Sequence, residues 1–130
     1  MNPIQPNSIE QAQALFGALT NAPTHLTSSA DEVLKTLQAG AKDVLVELPW
    51  GEERNGEVHA RHQIILTHVS AGRVHFINAL KSDLAPGTVI QGTAKGPMRR
   101  VEPNGEESME TERFVALFQQ GGKAMIQDRG

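Results

Sequence analysis

The chain of 130 residues has no cysteine and no tyrosine, a single tryptophan, and no apolar stretch long enough to cross a bilayer. Lack of cysteine excludes a disulfide framework, a thiolate zinc site and a cysteine nucleophile together. Aromatics are limited to Phe16, Trp50, Phe76, Phe114 and Phe118, so there is no stacking platform for bases or sugars. Excess positive charge is missing as well: 12 Lys and Arg stand against 15 Asp and Glu, for a formal net charge of −3. Such a surface has no field that gathers nucleic acid or anionic lipid. Met1-Asn2-Pro3-Ile4-Gln5 offers neither a basic nor an apolar leader region, so the expected location is cytoplasmic, with no membrane partner. What is present is 38% apolar residues with 12 glycines and 7 prolines. That is enough for one loop-rich domain spanning residues 1–130.

Read along the chain, Ser8 with Gln11 makes a capping box, and Ile9, Ala12, Leu15, Phe16 and Leu19 recur at helical spacing, predicting a helix over 9–19. Ser29 and Glu32 open a second helix that turns Val33, Leu34 and Leu37 inward and stops at Gly40. Val44 to Leu48 is short, β-branched and closed by Pro49, which predicts a strand. Gly51 to Val58 reads as a solvated loop. Weak strands are expected at Thr88–Ile90 and Met98–Val101, with Arg99 and Arg100 as a solvated edge. A third helix is expected over Ser108–Gln120, stapled by Met109 on Phe114, and a last strand over Ala124–Ile126.

The strongest local signal is a hairpin. His62–Val69 and Arg73–Asn78 flank Ser70-Ala71-Gly72, a three-residue loop with Gly72 at the position needing a positive φ. This register pairs Val69 with Arg73, His68 with Val74, Leu66 with Phe76 and Ile64 with Asn78. His62, His68 and Asn78 then share one face, with His62 and Asn78 as diagonal neighbours.

These elements resemble the papain-fold peptidases, in particular the bacteriocin-leader-processing, double-glycine peptidase-like group. The resemblance is carried by Leu37-Gln38-Ala39-Gly40-Ala41-Lys42-Asp43-Val44-Leu45-Val46, by His62 opening an apolar strand, and by Asn78 closing the next. Phe114 on a late helix, Gly121-Gly122 and the last strand continue it, so that it covers about residues 29–126. It implies an α+β, papain-like architecture: N-terminal helices packed on a small antiparallel sheet, with a C-terminal helix. It also implies that His62 and Asn78 are the positional relics of a catalytic base and its orienting amide. The family's nucleophile is a Cys at the start of the first helix, where this chain has Ser8 and Ile9. Gln5 lies closer to that position than the family's oxyanion glutamine does.

Ser8 is explained as a helix cap, and a side chain bound to helix amides is a poor nucleophile. The expected function is therefore a non-catalytic peptide- or protein-binding regulatory module, with the partner in the groove between the first helix and the hairpin. The alternatives are a hydrolase or acyltransferase using His62 and Asn78, with Ser8 or a replaced native Cys as nucleophile, and a small adaptor or immunity-type protein without peptidase ancestry. No cofactor is expected. His59, His62, His68 and His75 fall within one short stretch, but His75 lies opposite His62 and His68 in this register, so no metal site is expected either.

Overall fold

Ser29 stands in extended backbone (φ −95°, ψ 114°) and its hydroxyl accepts from the Glu32 amide, which starts a helix, α1, over Ala30–Ala39. Gly40, at φ 74°, ends it in the left-handed conformation that a residue without Cβ adopts freely. The computed structural model describes residues 24–40, 42–50, 53–54, 57–58, 61–78, 84–91 and 97–128. The expected helix over 9–19, and with it Ser8 and Gln5, lies outside the described residues.

Around α1 the chain builds an eight-stranded antiparallel sheet. In chain order the strands are β1 (Thr24–Thr27), β2 (Lys42–Pro49), β3 (Glu53–Arg54), β4 (Glu57–Val58), β5 (Arg61–Ser70), β6 (Arg73–Ile77), β7 (Val89–Ile90), β8 (Arg99–Val101), β9 (Glu107–Glu110) and β10 (Lys123–Asp128). A second helix, α2 (Thr111–Phe118), lies between β9 and β10. The spatial order is β1-β10-β2-β5-β6-β9-β8-β7, and β3 with β4 forms a separate two-stranded ribbon. The cross-strand partners Ile126, Val44, Leu66 and Phe76, then Ala124, Val46 and Ile64, line one face of the sheet. Both helices cover that face, burying Val33, Leu37, Phe114 and Phe118 against it.

The papain-like α+β architecture expected from the sequence is therefore corrected. Among the described residues the molecule is a broad antiparallel sheet with two short helices on one side, not helices packed around a small sheet. Strands were missed where partners rather than local pattern determine the conformation. Ser108 and Met109 belong to β9, paired with His75 and Val74, so the third expected helix starts at Thr111 and not at Ser108, while Met109 and Phe114, which flank its N-cap Glu110 at the staple positions, are both fully buried in the core. Arg99 is no solvated edge: it is 8% exposed and ion-paired with Glu107. The stretch expected as a polar loop contains the β3–β4 ribbon.

The central hairpin differs in a way that matters for the site. Ala71 and Gly72 both have positive φ, 52° and 72°, and Ser70 pairs with Arg73, so the turn has two residues and not three. Val69 then faces Val74 and His68 faces His75. Continued unbroken, this ladder would put Leu66 opposite Ile77. A β-bulge at Thr67 absorbs one residue, and beyond it Leu66 faces Phe76 and Ile65 faces Ile77, the pairing that the longer turn would have given. The apolar alternation of β5 enforces this correction: without it Ile64 and Leu66 would leave the core pairing while Ile65, which is 46% exposed, would enter it.

Ala71 holds a left-handed conformation that costs a residue with a Cβ some strain, and asparagine tolerates it better. Ala71→Asn is expected to stabilise the protein by about 0.5–1 kcal/mol in urea denaturation, with an unchanged m-value.

Candidate functional site

A chain of polar side chains lies on the helix-covered face, at the end of the sheet where β2 runs into β3. Leu48 pairs with His62 at the start of β5, and Asn78 follows the last residue of β6. Glu107 pairs with Phe76 from β9 and with Val101 from β8, and Arg99 begins β8. The strand period of two puts all four groups on the core side. Nε2 of His62 is 2.8 Å from Oδ1 of Asn78. The Asn78 amide donates from Nδ2 to Oε2 of Glu107 at 3.3 Å, and Nε of Arg99 donates to Oε1 of the same carboxylate. Trp50 closes the cluster: its ring lies 4.8 Å from the His62 ring, meets Phe76 edge-on at 6.2 Å, and supports the Arg99 guanidinium 5.0 Å from its centroid.

Sequence reasoning thus placed His62 beside Asn78, and the structure joins them by a hydrogen bond, although through a different turn. Glu107, Arg99 and Trp50 were missed. Glu107 faces the core because it stands two residues before the buried Met109 on β9, a phase that no local signal reveals while the segment reads as the start of a helix. Ser8 and His59 lie outside the described residues, as does the expected groove beside the first helix.

The order of partners fixes the histidine's chemistry. Glu107, engaged by a guanidinium, is a carboxylate and only accepts, so the Asn78 amide must turn its NH₂ toward it and its oxygen toward His62. The neutral imidazole must then carry its proton on Nε2, leaving the lone pair on Nδ1. This arrangement can hold a base or a hydrogen-bond acceptor in one tautomer. Asn78, Arg99 and Glu107 are 6%, 8% and 5% exposed, so each member would carry a desolvation cost if its partner were removed.

The remaining histidines are arranged differently from the expected register. The bulge turns His68 onto the outer face, away from His62, where its ring stacks on His75 at 4.1 Å and 9°. His75 thus shares a face with His68, contrary to the register expected from the longer turn. Burial, and after it the neighbouring His68, push the His75 imidazole below the ordinary histidine range, against Glu102 and Glu106. Close by, the Ser108 hydroxyl, and then the Arg100 guanidinium, hold the Glu102 carboxyl below the usual carboxylate range despite partial burial. His25 lies apart, 3.4 Å from Glu32.

A second feature lies on the same outer face. Leu26 pairs with Met125, Met125 with Leu45, Leu45 with Ile65, and Ile65 with Ile77, forming one unbroken apolar row across β1, β10, β2, β5 and β6. Leu26, Ile65 and Ile77 are 37%, 46% and 43% exposed while Met125 is buried, and none of the four belongs to the core cluster beneath α1 and α2. Polar residues border the row, with Glu47, Gln63 and Lys123 on one side and Asp43 and Gln127 on the other. At its centre Leu45, Ile65, Met125, Asp43 and Gln127 line a depression of about 290 Å³. Comparison of the chain with protein-family models, curated proteins and solved structures gave no match.

Two outcomes follow. Glu107→Gln removes the carboxylate that neutralises the buried Arg99 guanidinium and is expected to cost about 3 kcal/mol, whereas the double change Arg99→Met with Glu107→Leu costs less, as urea unfolding of the three proteins will measure. Because Glu102 titrates below its ordinary value of 4.5, its contribution is present above that pH and lost as pH falls through the lowered value. Glu102→Gln is therefore expected to flatten the decline of the urea midpoint between pH 5 and 3.

Proposed function

We propose that the chain is a non-catalytic protein-interaction module whose partner lays an amphipathic helix across the outer face of the sheet. The observation that carries this reading is the apolar row from Leu26 to Ile77 on the face away from α1 and α2, in which Leu26, Ile65 and Ile77 are exposed beside the half-buried Leu45 and the buried Met125, with polar residues along its borders. Exposed apolar surface that is continuous and rimmed by polar groups is characteristic of an interaction surface, whereas scattered single residues are not. Four strand spacings of about 4.8 Å make the row about 19 Å long. That matches about 13 residues of α-helix, whose apolar anchors at i, i+3, i+4 and i+7 can lie along the row. The depression at Leu45, Ile65 and Met125 would take one bulky anchor side chain.

A second reading, a hydrolase or acyltransferase with His62 as base, is favoured by one observation, the relay from Asn78 through Glu107 that sets the imidazole tautomer. It requires a nucleophile within hydrogen-bond reach of Nδ1. The likeness to peptidases rests on this pair alone, without the papain-like architecture.

Methyl NMR of the full chain, titrated with a panel of 13-residue amphipathic helical peptides, separates the two. Shifts are expected at Leu26, Leu45, Ile65, Ile77 and Met125, and Ile65→Glu, at an exposed position that the fold tolerates, is expected to remove them. Shifts centred on Trp50 and His62, or an acyl-type serine probe that labels the wild type but not His62→Ala, would overturn the interaction reading in favour of the enzyme.

A further inference from the structure

The outer face holds one cluster that neither the relay nor the apolar row uses. His68, His75 and Glu106 each offer one ligand atom, and these atoms lie within 4.8 Å of one another. The three residues come from separate places: β5 just beyond the bulge, the middle of β6, and the residue entering β9. Their arrangement is built. His68 and His75 are cross-strand partners. The Thr67 hydroxyl donates to Oε2 of Glu106 at 3.1 Å and lies 3.1 Å from Nδ1 of His68, so the bulged residue itself ties one ligand to another. Ser70 Oγ lies 3.2 Å from Nε2 of His75.

We propose that His68, His75 and Glu106 form a binding site for a divalent ion of the zinc type, with water completing its coordination. Two imidazole nitrogens and one carboxylate oxygen are a donor set for borderline ions, while magnesium and calcium take oxygen ligands almost alone. Bonds of about 2.0–2.2 Å in a tetrahedral site put donor atoms about 3.3 Å apart. Closing the present spread requires the His68 ring to rotate off its stack on His75, for which its exposed position gives the room. The surroundings carry no excess of negative charge: Arg100 is paired with Glu102, and the Arg73 guanidinium is held by the neutral Ser108. Attraction therefore comes from the donors and not from a general negative field, which sharpens the selection against hard cations. Thr67 and Ser70 stand where outer groups would orient the ligating rings. The three ligands converge only in the folded sheet, so ion binding must stabilise the fold.

Calorimetric titration of the full chain with zinc chloride, compared with magnesium and calcium chlorides, tests the site. One zinc ion per chain is expected, with no saturable magnesium or calcium binding. His68→Ala and Glu106→Gln are each expected to weaken zinc binding by about tenfold or more, and His25→Ala to leave it unchanged. Zinc is also expected to raise the Tm of the wild type but not of His68→Ala, whose exposed position preserves the fold, as circular dichroism will verify. Absence of saturable zinc binding overturns the proposal, as does equal affinity for calcium. Zinc binding that survives both His68→Ala and Glu106→Gln overturns it as well.

Discussion

The pairing of β5 with β6 is the constraint on which the rest of the molecule depends, because it joins the two halves of the sheet. On one side of it lie β2, β10 and β1, and on the other β9, β8 and β7. A shift of one residue here would turn every side chain of β5 over relative to its neighbours, exchanging Ile64 and Leu66 for Ile65. The burial of Ile64, Leu66, Val74 and Phe76 fixes the outcome, and the two-residue turn at Ala71-Gly72 is reconciled with it only by the extra residue at Thr67. Bulge and turn are thus one device. The turn suits the right-handed twist of the strands, and the bulge returns the core residues to the core.

The same device decides which polar groups meet. Below the bulge the restored register carries His62 and Asn78 to one side of the ladder, and Asn78 then reaches Glu107 across β6 and β9. Above it the ladder keeps the register of the turn, bringing His68 against His75. Each face of the hairpin consequently holds its own cluster. The inner one is desolvated, and its hydrogen bonds are directional and coupled through the Glu107 carboxylate, which accepts from both the Asn78 amide and the Arg99 guanidinium. The outer one is partly open to water, where groups can rotate and exchange partners.

Elements set by local chemistry were legible in the sequence. The cap at Ser29, the stop at Gly40, the strand over Val44–Leu48 and the two arms of the hairpin were all expected and are all found. Elements set by a distant partner were not. β9 reads as the front of a helix because Glu107-Ser108-Met109-Glu110 leads into a helical pattern, and only Val74 and His75 on β6 make it a strand. Arg99 reads as a surface charge until Glu107 is placed beside it. The site was half legible for the same reason. His62 and Asn78 belong to one hairpin and were found from its alternation, but two errors cancelled, since a turn taken one residue too long stood in for a bulge that no local pattern announces. His68 lay on the side of the bulge where they did not cancel, so its face was misread.

The two faces of the sheet differ in what they require of a function, which is why the interaction reading takes precedence over the enzymatic one. A relay of Arg99, Glu107, Asn78 and His62 is accounted for by the fold, since four strands end there and their core-side polar groups, three of them buried, need hydrogen-bond partners. Its geometry is compatible with catalysis but does not demand it. The apolar row has no such account. Leu26, Ile65 and Ile77 stand outside the core cluster, and leaving Ile65 and Ile77 in water forgoes the burial that a polar residue would not need. A feature that the fold does not explain is stronger evidence of selection for function than one that it does, and on this molecule that feature is the outer face.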